Sequence, residues 1–385
     1  MMKVESPTGH LTACVRGSLA LSMECDPSLQ IRFAVVIGLG CLLLPLMAAV
    51  SSPVREDAAQ RAVPATPVVV RLALQWRPQS QFAGYFMARE KGIYRASGLD
   101  VQLLHADAEH TSLGMLRDGS ADLATAFLTD GIMAAVARAG MPLPGGPNAS
   151  DALRIVQVAQ IVQRSHLMLI AWKDMGVERA ADLDGMRVSY WQGSFSAAFD
   201  AFFAAHNVEP IRIPQYESVN LFLKRGVAAC AVMYYNEYHR IRQAGIDTDR
   251  LTGFVMSEEG FGFPEDGIYA TAAWIGSHSE VARKVREATL VGWAYARDHP
   301  EETLDLVLAE AREAGVPANR PHERWMLERI IESIFVPDQP GQPAPTPGAL
   351  DPTDFLSAAQ ALLAVGLVER IPRVDAFAPF DASPP

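Results

Sequence analysis

Short apolar stretches alternate with helix-like stretches twice along this chain, and that alternation limits its fold more than any other feature. Residues 68–74 (VVVRLAL) read as a strand, 82–94 as a helix with Phe82, Tyr85, Phe86 and Ala88 on one face, and 100–104 as a strand following the break at Gly98. Residues 122–127, 130–139 and 155–162 continue as strand, helix and strand. The second set runs 167–172 and 186–190 as strands, 196–206 as a helix, 211–214 as a strand, 219–225 as a helix and 228–233 as a strand. Strands that alternate with helices are expected to form parallel sheets covered on both faces. Two such sets predict two α/β lobes.

Beyond Asp266 comes one more strand, 267–273, and then helices at 279–297, 301–314 and 321–335. The loop PDQPGQPAPTPG separates them from a last helix at 354–366. A tail without further strands is expected to pack back on the first lobe. The chain has 385 residues, 49% of them hydrophobic, enough for two cores. Its 33 Lys+Arg against 44 Asp+Glu leave a net charge of -11, which argues against a nucleic-acid partner held by a basic footprint.

Residues 33–50, FAVVIGLGCLLLPLMAAV, carry no charge, follow Arg32 and end in small residues. This is the pattern of a signal-peptide apolar region, with cleavage after Ala49 or Ser51. The run is also just long enough to span a bilayer, so an uncleaved anchor competes. Residues 1–51 are therefore expected to be a signal peptide or N-terminal anchor with its leader, within which Met23 offers a second start, and 52–67 a linker rich in Ala, Pro and charge. Export to the periplasm follows from either reading. Cys14, Cys25 and Cys41 lie in or before the apolar run, which leaves Cys230 alone in the mature chain and removes any internal disulfide or Cys-based metal site. His105, His110, His166 and His239 show no paired metal spacing, and no GxSxG, HExxH or Walker sequence is present. No catalytic residue, metal or cofactor is expected.

Three segments, LQWRPQSQFAGYFMAREKGIYRASGLDV (74–101), AVMYYNEYHRIRQAGID (231–247) and FGFPEDGIYA (261–270), carry a resemblance. Together they resemble the hydroxymethylpyrimidine-precursor family, which joins bacterial binding components for thiamine-pyrimidine precursors to fungal hydroxymethylpyrimidine synthases. The resemblance implies an α/β, type II periplasmic-binding-protein fold: two lobes joined by two crossovers, with a helical C-terminal tail packed on lobe one. The crossovers would fall near 162–166 and 264–268, giving lobe one as 68–163 with 268–385 and lobe two as 164–267. It further implies the exported solute-binding component of an ABC importer, a monomer that captures a small pyrimidine-like ligand and meets a permease and its ATPase. A ligand-sensing receptor for a membrane signalling protein is the alternative an uncleaved anchor would favour. The fungal branch is enzymatic, using pyridoxal phosphate and its own histidine as substrates with a Cys-rich CCCFC motif; the four isolated cysteines here do not supply that motif.

In open α/β sheets ligands bind beyond the carboxyl ends of strands, and the candidate residues sit there. Trp76 could stack on a flat ring or cap the sheet. Tyr85, on the following helix, could donate to a ring nitrogen or be core. Thr129, ahead of Asp130, has the residue type of a helix N-cap, where free N–H groups also suit a ligand carbonyl or anion. Tyr190, Trp191, Gly193 and Ser194 form a strand-to-helix turn that could offer a second aromatic wall and backbone N–H groups. In YYNEYH, the resemblance implies that Glu237 accepts from a pyrimidine amino group, with Tyr235 and Asn236 beside it; a solvated carboxylate at a helix start is the competing role. Asp266 lies at the second crossover, as hinge or cleft rim, in a segment that would also suit a simple turn.

Overall fold

The computed structural model describes residues 66–107, 109–136, 154–338 and 343–381, which all belong to one compact unit, 62–385. The apolar run at 33–50, with its signal and anchor readings, lies outside the described residues. Among the described residues no helix is long and apolar enough to cross a membrane.

The first alternation comprises β1 (Val68–Leu74), α1 (Ala83–Glu90), α2 (Ile93–Ala96), β2 (Leu99–His105), α3 (Ser112–Asp118), β3 (Leu123–Phe127), α4 (Leu128–Val136) and β4 (Ile155–Gln160). The single helix expected at 82–94 is two, because Gly92 adopts φ 65°, a left-handed conformation that ends one helix and starts the next. The second comprises β5 (Leu167–Trp172), β6 (Arg187–Tyr190), α5 (Ser196–Ala205), β7 (Ile211–Pro214), α6 (Asn220–Leu223), β8 (Ala229–Met233), α7 (Glu237–Gln243) and β9 (Leu251–Val255). β9 is an addition to the expected strands. β10 (Asp266–Thr271) then leads into the tail, α8 (Ala272–Asp298), α9 (Pro300–Glu313), α10 (Arg320–Ile334), α11 (Pro352–Ala364) and α12 (Val374–Phe377).

These strands make two five-stranded sheets, ordered β2-β1-β3-β10-β4 and β7-β6-β8-β5-β9. Neither sheet is wholly parallel, which corrects the expectation from alternation alone. β10 runs antiparallel to β3 and β4, and β5 antiparallel to β8 and β9. Each reversed strand follows a passage between the sheets and so enters its sheet from the opposite end. Helix cover still buries strands on both faces: the central β5 and β8, and the edge strand β4, are buried at every residue.

The two passages between sheets lie side by side. Ile161 and Val162 donate backbone N–H bonds to the Asp266 carbonyl at 2.9 and 3.0 Å, and Glu265 N returns one to the Val162 carbonyl at 3.0 Å. The tail packs on the first sheet's helices, with α8 and α9 on α1 and α11 on α4. α10 and α11 also touch α7 and α5 of the second set.

Candidate ligand-binding site

The paired passages bring buried carboxyl groups to the seam between the sheets. Asp266, the first residue of β10, is only 3% exposed, and its oxygens accept from Gln75 Nε2 and Gln81 Nε2, each at 2.8 Å. Gln79 Nε2 in turn donates to Gln81 Oε1 at 2.6 Å. Glu265 is 2% exposed; its Oε1 accepts from the His166 backbone N–H at 2.5 Å while Oε2 has no hydrogen-bond partner. From the second set, Glu237 opens α7, 8% exposed, its carboxyl accepting from Met233 N at 3.0 Å and Asn236 Nδ2 at 2.9 Å.

Burial dominates the electrostatics here, because an ionised carboxyl loses its water without gaining a cation. Desolvation raises the pKa of Glu237 and takes Glu265 well above the usual carboxylate range. It pushes Asp266 up to about 7, against the pull of the Gln81 and Gln75 amides. The Tyr235 hydroxyl is raised well above its ordinary value by burial and then by Glu265, Asp266 and Glu237. Tyr85 is likewise raised by burial and by Asp266, and its hydroxyl has no hydrogen-bond partner. His166, edge-on to Tyr235 at 5.1 Å between ring centroids, is held neutral by burial, its pKa pushed down to about 3.

Four of the expected site residues, Tyr85, Tyr235, Glu237 and Asp266, thus share one electrostatic neighbourhood, and Asn236 bonds directly to Glu237. Trp76 lies two residues beyond β1 and is half-buried, its carbonyl accepting from His105 Nδ1 at 2.8 Å and its ring 5.6 Å from the Arg77 guanidinium carbon. It follows Gln75, whose amide reaches Asp266.

The strand-to-helix turn behaves differently. The Tyr190 hydroxyl donates to Asp200 at 2.9 Å and its ring carries Arg212 at 4.2 Å. Trp191 Nε1 donates to the Tyr216 carbonyl at 3.1 Å. Gly193 takes φ 72°, and the next residue, Ser194, donates from Oγ to Asp130 Oδ1 at 2.5 Å. Phe195 meets Phe127 edge-on at 4.5 Å. The turn therefore docks on the start of α4, where an open cleft wall was expected. Thr129 is not the N-cap that its residue type suggested: α4 begins at Leu128, directly after β3, and Thr129 lies buried inside the first turn.

Sequence reasoning missed Gln75, Gln79, Gln81, His166, Glu265 and Glu323, whose carboxyl accepts from Ser80 N at 2.8 Å. All three glutamines lie in the first matched segment, at 75, 79 and 81, but loop glutamines carry no local signal of burial. Among the described residues no group of three His, Cys, Asp or Glu could hold a metal ion. What the arrangement supplies is hydrogen-bond acceptors, neutral amides and phenols, suited to a ligand rich in N–H donors. A depression lined by Leu308, Arg312, Val316, Ala318 and Arg320 contains none of these carboxyls.

Residues 79–303 match the family described as NMT1/THI5 like. The chain is similar to riboflavin-binding protein RibY of Chloroflexus aurantiacus, 26% identical over 296 residues, or 72% of this chain and 79% of that one. It is similar to a formylaminopyrimidine-binding protein of Halalkalibacterium halodurans, 22% identical over 285 residues, 70% and 79% of the two chains. Among solved structures it resembles the periplasmic aliphatic sulphonate binding protein SsuA of Escherichia coli, with a TM-score of 0.58 and 15% identity over 81% of this chain and 92% of that one. That likeness is one of fold: the two-lobed periplasmic-binding architecture.

Proposed function

Because the chain belongs to the NMT1/THI5-like family, we propose that it is the exported solute-binding component of an ABC importer, capturing a small pyrimidine-like, thiamine-precursor ligand between its lobes without turning it over. The observation that carries this reading is the Glu237 carboxyl, held at the start of α7 beside Tyr235 and Asn236 and within electrostatic reach of Glu265 in the third segment. A charged acceptor matches an exocyclic amino group, and such a bond contributes about 1.5–3 kcal/mol. Trp76 supplies a flat face beside it.

In this reading lobe one comprises 68–163 with 268–385 and lobe two 164–267. Ligand draws them together about the adjacent passages at 161–166 and 256–265, a hinge motion. A permease with its ATPase then takes the closed, monomeric form. Export relies on the apolar run at 33–50, and the periplasm is the compartment. The riboflavin-binding relative favours a second ligand of the same shape class, since the isoalloxazine ring system contains a pyrimidine-type ring.

A thermal-shift screen followed by calorimetry tests both, using aminopyrimidines, a formylaminopyrimidine, riboflavin, thiamine and an alkanesulfonate. A ligand that binds the folded form raises its melting temperature by mass action. Aminopyrimidines or riboflavin are expected to shift it; a shift with the sulfonate alone overturns the reading.

A further inference from the structure

Glu265 and Asp266 are consecutive, both nearly without exposure, and neither meets a cation. Gln75 and Gln81 hold Asp266 with neutral amides, and a backbone N–H from His166 and the Ser165 hydroxyl, both neutral donors, serve Glu265. Among the described residues no lysine or arginine hydrogen-bonds or ion-pairs with either carboxyl. A buried charge without a partner is costly, and most proteins pair it or remove it. Two buried oxygens, one of the pair and one facing it, are also unspent. The Tyr85 hydroxyl, on a side chain 1% exposed and within electrostatic reach of Asp266, has no partner, and neither does Glu265 Oε2. Around the pair, Tyr235 and His166 are neutral and Glu237 is a third carboxyl; the nearest cations act one shell out, Arg240 on Glu237 and Arg329 on His166, and neither acts on Glu265 or Asp266.

We propose that the ligand carries a positive charge, and that the Glu265–Asp266 pair is its counter-ion, with the Tyr85 oxygen accepting one of its N–H groups. This rests on the pyrimidine reading above and deepens it: Glu237 serves the ring's amino group, while the pair serves a cationic arm such as a primary ammonium. Without ligand the pair keeps a proton, since two adjacent desolvated carboxyls do not both ionise at neutral pH. The arriving cation displaces that proton to solvent. Affinity for the cation therefore rises with pH for as long as the free pair holds a proton, which burial and the neighbouring carboxylate keep on Glu265 beyond neutral pH.

The test compares two 4-aminopyrimidines that differ only in one arm, aminomethyl against hydroxymethyl, by calorimetry at pH 7.5. The aminomethyl ring is expected to bind at least tenfold more tightly, and repeats in buffers of differing ionisation enthalpy are expected to register proton release. Asp266→Asn should bring the two affinities within about twofold, with Glu265→Gln as the second variant should the first fold poorly. Equal affinities in the wild type overturn the counter-ion role and leave the pyrimidine reading standing. Binding of neither ring overturns both.

Discussion

Ser194 Oγ donates to Asp130 Oδ1 at 2.5 Å, tying the turn before α5 in the second set to the first turn of α4 in the first. Burial pushes Asp130 up to about 6, so at neutral pH the acceptor is ionised and the bond is charge-assisted. With the Phe127–Phe195 contact at 4.5 Å, it ties the second set to the first across the seam. Ser194→Ala removes a bond of the class that contributes about 1.5–3 kcal/mol. The ligand-free variant is expected to be more open, with a larger radius of gyration by X-ray scattering, and to bind several-fold more weakly. Superimposable profiles for variant and wild type would show that the bond holds nothing closed.

Glu237→Ala is expected to weaken aminopyrimidine binding tenfold or more. It also leaves Met233 N and Asn236 Nδ2 without their acceptor, so Glu237→Gln, which keeps one carboxamide oxygen, separates lost charge from lost structure. Trp76→Ala should cost about 1–3 kcal/mol of binding if its ring stacks on the ligand. Calorimetry on melting-checked variants measures all three. An unchanged affinity in Glu237→Gln would remove that carboxylate from the site.

Much of this fold is legible in the chain itself. Residues 167–172 and 211–214 read as strands and are β5 and β7, because continuous apolar or β-branched runs bounded by breakers have few other uses. β9 (Leu251–Val255) escaped because LTGFV has a central glycine and follows a charged turn, which gives a weak strand signal. Strand direction escaped too: whether β10 enters parallel or antiparallel depends on which end of the sheet the second passage reaches, and no local pattern encodes that. In the site, Glu237 and Asp266 stood out through their motifs. Gln75 and Gln81 did not, since a loop glutamine reads as solvated, and only the Asp266 carboxyl between them shows why Gln81 is buried and Gln75 half-buried.

Packing of the tail turns on two glycines. A Cβ at Gly292 of α8 would lie 2.3 Å from the Gly84 carbonyl oxygen of α1, and one at Gly84 would lie 2.3 Å from the Trp293 ring. The helices approach this closely only because both positions lack side chains. Gly292→Ala gains helix propensity but must push α8 off α1, against backbone that cannot yield as a side chain can; overpacking of this kind typically costs about 1–3 kcal/mol. Urea unfolding should show a lowered midpoint with an unchanged slope. A midpoint at or above that of the wild type would mean that α8 shifts freely.

Acid and base act on this protein through opposed groups. His322 Nε2 lies 3.1 Å from Asn236 Oδ1 and accepts from Arg240 Nε at 3.4 Å, while its Nδ1 is 2.9 Å from His239 Nδ1, the rings stacked 5.2 Å apart. A charged His322 would lose its water and face the Arg240 guanidinium and His239, and burial first, then these two, push it down to about 4. Unfolded histidine takes up its proton near 6.5, so from there down to about 4 the unfolded chain binds more protons than the folded one. The stability this group contributes is complete above pH 6.5 and falls by up to about 3 kcal/mol as the pH drops to 4. Asp266 runs the other way. Its folded value near 7 exceeds the unfolded one near 4, so its contribution is complete below pH 4 and declines by up to about 4 kcal/mol as the pH rises through 7. Between pH 4 and 7 the two slopes have opposite signs. His166, pushed down to about 3, adds to the first and Asp130, raised to about 6, adds to the second, so each variant tilts the profile relative to the wild type. His322→Asn is expected to tilt stability downward with rising pH, and Asp266→Asn to tilt it upward. Denaturant midpoints collected across that range decide the matter: parallel profiles for the two variants would mean that these groups do not govern the pH response.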